Sequence, residues 1–263
     1  MTAPDWPLGV PSSHDPEAWF RDHFDQAAGE IIGFLAGDGI DLAGKRVADI
    51  GCGDGIIDAG VFTKARPEML VGYDTRPVDV DGLQRVVEAH GVHELPYGEY
   101  LSFVQSEPAH VPAPPDTFDA VFSWSAFEHV SEPATMFREI GRIMKPDGVF
   151  FLQVWPLFHS FHGGHLWLSV PEPFAHLRQA PHELEARLEG RPATDPTRPA
   201  VDEFRSLNRL TLDDLQRGLM LAGLRPTKVK PIAEAFHVPA EVAHHPLSLM
   251  AVSGVELIAV PVV

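Results

Sequence analysis

The chain has 263 residues, of which 44% are hydrophobic, and its formal net charge is -17. This length provides one sizeable core, and no apolar run approaches the roughly 18 residues of a membrane span. The acidic balance disfavours a nucleic-acid partner, and the single cysteine, Cys52, excludes an intrachain disulfide and a cysteine-rich zinc site.

Residues 1–40 predict a surface arm followed by a helix. The arm contains Pro4, Pro7 and Pro11, and either Ser13 or Asp15 provides a helix cap before apolar residues recur at helical spacing. The arm lacks the basic start and the apolar stretch of a secretory signal, so we expect a cytoplasmic protein.

Residues 46–154 alternate between short apolar runs and amphipathic stretches, which predicts strands joined by helices in a parallel sheet covered on both faces. After residue 207, Thr211 and Asp214 form a capping pattern for another helix, and two apolar segments then predict a final antiparallel pair. The predicted strands are RVADI, MLVGYD, YLSFVQS, TFDAVFSW, VFFLQVW, RPTKVKPIAEAFHV and SGVELIAVPVV. The helices between them are IIDAGVFTKAR, DVDGLQRVVEAHG and EPATMFREIGRIMKPDG, the last closed by Pro146 and Gly148.

Residues 156–207 break this alternation and contain one predicted helix, near PHELEARLEG. A segment of this length without a strand pattern is typical of a lid or a binding loop, so we expect a substrate lid inserted after strand five. Residues 1–263 then form a single α/β domain, a doubly wound seven-stranded sheet that is mostly parallel and has an antiparallel last strand.

A glycine-rich turn, VADIGCGDG, directly follows the first predicted strand. Glycines at this place bring backbone amides and a helix N-terminus close to a ligand. A dinucleotide fingerprint requires glycine at residue 56, where this chain has Ile56. Asp49 and Asp54 flank the turn and would oppose a pyrophosphate but attract a ligand that carries an ammonium and a sulfonium. The turn therefore favours a cationic adenosine, with an ordinary tight turn as the alternative.

Over residues 40–155 the chain resembles the class I S-adenosylmethionine-dependent methyltransferases in four elements that occur in order. VADIGCGDG is similar to the family's first motif, Asp74 to its ribose-binding acid, Glu107 to the residue that accepts from the adenine amino group, and TFDAVFSWSAFEHVSEP to its fourth-strand motif. The resemblance implies a Rossmann-like fold with S-adenosylmethionine as the cofactor. The expected cofactor site comprises Trp19, Asp49, Gly51, Cys52, Gly53, Gly55, Asp74, Thr75, Arg76, Glu107, Pro108, Ser123 and Trp124.

Three of these residues have structural alternatives. Asp49 is equally suited to hold backbone amides beneath the turn. Glu107 is one methylene longer than the usual Asp and could be a solvated loop acid. Trp19 belongs to a helix whose Phe20 and Phe24 are expected in the core, so it could pack there instead of covering a cofactor.

The acceptor pocket of this fold lies beyond strands four and five. SWSAFE after strand four lacks the signature of amino-nitrogen methylation of nucleic-acid bases, and Cys52 lies in the cofactor turn instead of acting as a cytosine-methylating nucleophile. We therefore expect transfer to a hydroxyl of a small molecule or oligosaccharide, a saccharide or a secondary metabolite, between aromatic walls from Trp155, Phe158, Phe161 and Trp167. Nitrogen or carbon methylation of a small molecule, and a non-catalytic binding protein, are the alternatives. A homo-oligomer is compatible with the sequence.

Histidines supply the candidate catalytic groups. His129, after Glu128, is the candidate general base, although this pair could simply pack the next helix. In quinone-pathway members of the family such a pair helps to hold a divalent ion, so Glu128 and His129 are candidate ligands for Mg²⁺. His159, His162 and His165 lie three apart in a predicted loop, where they are free to converge on the acceptor or on a metal. The remaining candidates, His176, His237, His244 and His245, are expected at the surface or in the lid.

Overall fold

The structure is a computed structural model that describes residues 15–93, 95–195 and 198–262. Pro4, Pro7, Pro11 and Ser13, on which the predicted arm and one of its caps depend, lie outside the described residues. Within those ranges, no helix has the length and apolar character needed to cross a membrane.

Seven strands form one sheet in the order β3-β2-β1-β4-β5-β7-β6. Strands β1 to β5 pair in parallel, and β7 is antiparallel to both of its neighbours, β5 and β6. The predicted fold class, a doubly wound and mostly parallel sheet, is therefore confirmed. The strands are β1 Arg46–Ile50, β2 Met69–Asp74, β3 Leu101–Gln105, β4 Phe118–Trp124, β5 Met144–Val154, β6 Leu224–Ile232 and β7 Gly254–Pro261.

Helices cover both faces of the sheet because alternate side chains of each buried strand point to opposite faces. On β5, Phe150 and Leu152 pack with α5 and α9, while Phe151 packs on the other face with α2 and α3. The α-helices are α1 Pro16–Phe20, α2 Ala28–Ala36, α3 Ile56–Ala65, α4 Val80–Ala89, α5 Pro133–Ile143, α6 Ala175–Arg178, α7 Pro181–Leu188, α8 Ala200–Ser206, α9 Leu212–Leu221 and α10 Leu247–Met250. Two short 3₁₀ helices span Phe127–His129 and Ala240–Val242.

The N-terminal helix lies across one end of the sheet. Asp15 caps it by accepting from the Glu17 amide at 3.1 Å, and a π-helical segment, Arg21–Ala27, joins α1 to α2 without a break. The helix approaches α3 so closely that a side-chain carbon at Gly60 would lie 2.4 Å from the Phe24 carbonyl oxygen. This contact places the first turn of the N-terminal helix above the glycine turn.

The predicted boundary between α5 and β5 was wrong. The helix ends at Ile143, and β5 begins at Met144 instead of continuing as a helix to Pro146 and Gly148. Proline disfavours the helical conformation of the residue before it, here Lys145, so the chain becomes extended at this point. Asp119 of β4 forms a 2.7 Å ion pair with Lys145, which connects the start of β5 to β4.

Residues 156–207, predicted as the lid, contain three short helices where one was expected. Only α7 corresponds to the predicted helix, and α6 and α8 have too few residues for a periodic signal. The segment has an apolar cluster of its own, which includes Phe158, Leu166, Leu184 and Phe204. His176 was expected at the surface or in the lid and is buried in this segment, where its Nε2 donates to the Phe158 carbonyl at 2.5 Å.

Candidate functional site

A cavity of about 710 Å³ opens at the carboxyl ends of β1, β2, β4 and β5. Its walls also include the N-terminal helix and these lid residues: His165, Trp167, Thr194, Asp195, Arg198, Pro199, Asp202, Glu203 and Ser206. β1 lies between β2 and β4, so the direction of chain progression reverses at β1, and this is where doubly wound sheets bind ligands. The volume lies within the range of roughly 300–1,000 Å³ that is typical of small-molecule sites.

The turn after β1 brings backbone close to this cavity. Gly51 has a φ of +87°, and a side-chain carbon there would lie 2.4 Å from Cβ of Ala126, so both conformation and space require glycine. Gly55 has a φ of +80° and is the N-cap of α3. Gly51, Cys52 and Gly53 line the cavity, whereas Gly55 does not.

Asp74, at the end of β2, holds the turn and faces the cavity. One carboxylate oxygen accepts from the Gly53 amide at 3.0 Å, and the other accepts from the Arg76 amide at 2.9 Å. Thr75 and Arg76 line the cavity beside Asp74. The carboxylate is thus fixed by two amides while its position on the wall leaves it available to a ligand.

Asp49 does not line the cavity but is buried beneath the turn next to Asp58 of α3. Burial raises the pKa of both carboxyls well above their ordinary range, and the charge of Asp58 raises that of Asp49 further. Two adjacent carboxylates without solvent cannot both ionise at low cost, so we infer that the pair shares a proton. The position of Asp49 therefore fits a structural role beneath the turn better than direct contact with a ligand.

The other predicted cofactor residues divide between the cavity wall and the interior. Trp19 lines the cavity, and its Nε1 donates to Asp54 at 2.7 Å, while Phe20 and Phe24 pack in the core. Trp124 and Pro108 also line the cavity. Ser123 does not, because its hydroxyl is buried and donates to the Ile50 carbonyl at 2.7 Å.

Glu107 has an exposed side chain and does not line the cavity. Its neighbours Ser106, Pro108 and Ala109 do. The loop after β3 therefore approaches the cavity through residues other than the predicted acid. The reason is local, since Glu107 and His110 form an isolated bridge that turns the chain at this point.

On the cavity wall, Glu128, His129 and His165 each offer a ligand or base atom within 4.8 Å of the others. Burial raises the pKa of Glu128 to about 7 and, with the charge of His165, lowers that of His129 to about 2. His129 is therefore neutral at physiological pH. Its Nδ1 lies 2.7 Å from the Ser206 hydroxyl, which fixes the ring against α8.

His165 lies between two buried carboxyls. Its Nδ1 is 3.5 Å from an oxygen of Glu203, and its Nε2 is 4.0 Å from an oxygen of Glu128. Glu203 is oriented by the backbone amides of Thr194 and Asp195, at 2.7 and 3.3 Å. Imidazole Nε2 of His165 is buried and has no hydrogen-bond partner among the described residues.

The sequence suggested that His159, His162 and His165 could converge on the acceptor or on a metal, but in the structure they do not converge. Only His165 lines the cavity. His162 is buried against Trp155 and Trp167, and burial lowers its pKa to about 3, while His159 lies beside His245. Gly163 and Gly164 separate His162 from His165, and Gly163 packs so closely that a side-chain carbon would lie 2.1 Å from the Phe158 carbonyl oxygen.

Of the predicted aromatic walls, Trp155 and Trp167 line the cavity, and Phe158 and Phe161 do not. Sequence reasoning missed Asp195, Arg198, Glu203 and Ser206, all of which line the cavity. These residues lie in an irregular stretch and a short helix, so no spacing singled them out.

The same residues connect the lid to the sheet. Asp195 accepts from Arg198 Nε at 2.8 Å and lies 3.4 Å from Arg76 Nη2, and Arg198 Nη1 in turn donates to Ser206 at 3.3 Å. Because Arg76 follows Asp74 and Ser206 contacts His129, this chain of contacts runs from the turn side of the cavity to the histidine side.

Glu128, His129 and His165 form a two-nitrogen, one-oxygen donor set. Mg²⁺ prefers oxygen ligands, whereas imidazoles suit zinc, iron and copper. The donor chemistry therefore does not fit the expected Mg²⁺.

Residues 20–224 match the model of a family described as a methyltransferase domain. The chain is 33% identical over 112 residues to the ubiquinone biosynthesis O-methyltransferase of Vibrio cholerae serotype O1, covering 42% of each protein. It is 30% identical over 118 residues to the sterol 24-C-methyltransferase erg6 of Aspergillus fumigatus, covering 45% of this chain and 30% of that relative. These matches span less than half the length of the curated relatives.

Among solved structures, an S-adenosylmethionine-dependent methyltransferase from Mesorhizobium loti superposes with a TM-score of 0.52 at 18% identity. The superposition covers 90% of this chain and 99% of that one. At this identity the likeness concerns the fold alone.

Proposed function

The chain belongs to the methyltransferase-domain family, as a class I S-adenosylmethionine-dependent methyltransferase, and from that premise we propose that it methylates a hydroxyl of a small molecule. The observation that carries the choice of oxygen is the placement of His165 between Glu203 and Glu128 on the cavity wall. A neutral alcohol must lose its proton as it attacks, and this arrangement supplies a base for that proton.

The residues of the turn fit the family's cofactor. Gly51, Cys52 and Gly53 bring backbone to the cavity wall, and Asp74 presents a carboxylate suited to ribose hydroxyls. Gly51, Gly53, Asp74 and Thr75 would hold the nucleoside, with Trp19 covering it from the N-terminal helix. When bound, S-adenosylmethionine supplies a methyl group on a positively charged sulfur, which is why an acidic cavity favours it.

We assign the base to His165 instead of His129. With its Nδ1 proton directed to Glu203, His165 presents the lone pair of Nε2 to the cavity, and the Glu203 carboxyl stabilises the cation formed on protonation. In the proposed reaction, the acceptor oxygen forms a bond to the methyl carbon as the carbon–sulfur bond breaks, and the hydroxyl proton passes to Nε2. His129, with a pKa of about 2, is too weak a base and positions the neighbouring groups.

We propose a saccharide or another ring-shaped secondary metabolite as the acceptor. Trp155 and Trp167 support this assignment, since their rings lie 5.6 Å apart on the wall next to His165. Flat indole faces suit the apolar faces of sugar and aromatic rings, and neighbouring carboxyls suit hydroxyl groups.

The test is turnover of methyl-¹³C-labelled S-adenosylmethionine with a mixed library of monosaccharides and phenols. Release of S-adenosylhomocysteine with a labelled methoxy carbon supports the proposal. Label on nitrogen or carbon would contradict oxygen transfer. Cofactor binding without any release would instead indicate a non-catalytic binding protein.

Chelation is expected to leave the activity intact. The proposed base needs no ion, and the donor set does not suit Mg²⁺, so turnover after dialysis against EDTA should stay within about twofold of the untreated rate. Loss of activity that added Zn²⁺ restores, but Mg²⁺ does not, would assign the Glu128, His129 and His165 group to a metal instead.

The contacts of Asp195 are expected to matter for the rate. Asp195→Ala removes the pairs to Arg76 and Arg198 and loosens the segment whose amides orient Glu203. Losing contacts worth about 1–2 kcal/mol in placing the base predicts an approximately tenfold lower kcat/KM. Steady-state kinetics measure it, and Glu189→Ala, at an exposed lid position, serves as the control. An unchanged rate in Asp195→Ala would show that the lid is held without these contacts.

A further inference from the structure

The Glu128 carboxyl is a buried polar group without a hydrogen-bond partner. Only 4% of the residue is exposed, and neither carboxylate oxygen has a hydrogen-bond partner among the described residues. The residue lines the cavity from the short helix that follows β4. A buried carboxyl in this state costs free energy unless a ligand completes its contacts.

The surrounding side chains leave this role to a ligand. Nε2 of the His165 ring lies 4.0 Å from one oxygen, beyond hydrogen-bond distance, and that ring also faces Glu203. Arg198 is engaged by Asp195 and Ser206. The protein thus places an imidazole near Glu128 without a hydrogen bond to its carboxyl.

The cavity as a whole is strongly acidic. Two arginines line it, Arg76 and Arg198, and both contact Asp195. Eight acidic side chains line it: Asp22, Glu30, Asp54, Asp74, Glu128, Asp195, Asp202 and Glu203. Such a wall opposes an anionic acceptor and favours a cationic one.

The aromatic wall adds to this preference. Trp155 and Trp167 lie 5.6 Å apart at 46°, and Trp167 is 5.7 Å from His165, so the indoles are contiguous with the group that contains Glu128. Indole faces attract ammonium groups, most strongly where water is excluded. The Glu128 carboxyl and the two indole rings together suit a ligand that carries an amine next to a ring.

We propose that the acceptor is an amino alcohol, such as an amino sugar, whose protonated amine binds the Glu128 carboxylate while its hydroxyl faces His165. This assignment rests on the proposed function, because it presumes that the hydroxyl is methylated. A protonated amine has no lone pair for attack, so it serves as the anchor and leaves the hydroxyl as the nucleophile.

The experiment compares three probes of one shape: benzylammonium, benzyl alcohol and benzoate. Each is titrated at pH 7.5 in EDTA into the protein saturated with S-adenosylhomocysteine, and binding is followed by tryptophan fluorescence and calorimetry. We expect benzylammonium to bind at least tenfold more tightly than benzyl alcohol, and benzoate to bind most weakly. Equal affinities, a preference for benzoate, or no measurable binding of the amine would overturn the proposal.

Two variants test whether Glu128 is the residue responsible for the preference for the amine. Glu128→Gln keeps the size of the side chain and removes its charge, so the preference for the amine over the alcohol should fall to within twofold. Glu189→Gln, which changes an exposed lid acid outside the cavity wall, should retain the preference. A preference that persists in Glu128→Gln overturns the assignment to this residue. If Glu128→Gln does not fold, the ratio in the unaltered protein still decides the cationic preference.

Product analysis separates this inference from the proposed function. Glucosamine and other amino alcohols are incubated with labelled cofactor, and the methylated atom is identified by NMR. Amine-selective binding together with label on nitrogen, or with no transfer, would contradict oxygen methylation while the cation site stands. Methoxy products from neutral acceptors, together with no amine selectivity, would support the proposed function and overturn the amine anchor.

Discussion

His165→Ala is expected to lower kcat by about 10²- to 10⁴-fold, the usual contribution of a general base. His165 is the one lid histidine on the cavity wall, and it combines a buried Nε2 with a carboxyl partner for Nδ1. Since His165 belongs neither to the glycine turn nor to the end of β2, the dissociation constant for S-adenosylmethionine should stay within about twofold. Pre-steady-state and steady-state kinetics, with calorimetry for the cofactor, measure both effects.

Two other histidines provide matched controls. His159→Ala changes a lid histidine outside the cavity and should leave kcat nearly unchanged. His129→Ala should have a smaller effect than His165→Ala, because His129 is neutral and is fixed to Ser206. A larger loss in His129→Ala than in His165→Ala would reverse the assignment of the base.

Asp74→Asn is expected to weaken S-adenosylmethionine binding by about 10- to 100-fold. The carboxylate accepts from the Gly53 and Arg76 amides, and an amide side chain keeps the size but loses the charge and one acceptor. Hydrogen bonds to a charged group are worth about 1.5–3 kcal/mol, which corresponds to this range of affinities. Isothermal titration calorimetry measures the change.

Asp81→Asn is the control for this variant, since Asp81 is an exposed residue of α4 and does not line the cavity. Thermal unfolding without ligand should show whether Asp74→Asn retains its fold. Tight cofactor binding by a folded Asp74→Asn protein would mean that the end of β2 is not a binding position. The family resemblance would then lose its most specific residue.

Together these two variants separate the halves of one cavity. The turn side consists of backbone and carboxylates held by neighbouring amides. The histidine side consists of titratable groups contributed by the 3₁₀ helix after β4 and by the lid with its α8. Arg76 and Asp195 form one contact between the two sides. We therefore expect changes on one side to alter mainly cofactor affinity and changes on the other to alter mainly the rate.

Much of the fold was predictable because its signals are local. The alternation of residues along β5 indicates which side chains face each layer of helices. The three glycines of the turn indicate a backbone conformation that other residues adopt only at a cost in free energy. The error at β5 arose because Pro146 was interpreted as the end of a helix, although its effect on Lys145 starts the strand earlier.

The site was less predictable where it depends on packing between distant segments. Glu107 and Ser123 occupy suitable places in their motifs, yet one side chain is exposed and the other is used inside the sheet. Spacing placed His159, His162 and His165 in one group, but their rings lie in different surroundings and only that of His165 lines the cavity. Motif position specifies where the backbone lies and does not specify the environment of a side chain.

The sequence by itself determined the order of strands and helices, the glycine turn and the family, because repeating spacing and glycine conformations are properties of short segments. Only the tertiary structure decided that His165 meets Glu128 and Glu203. Those residues come from three separate segments, and an irregular lid with its own apolar cluster brings them together. No repeating pattern in the sequence predicts that contact, because it depends on how the side chains of the lid are buried.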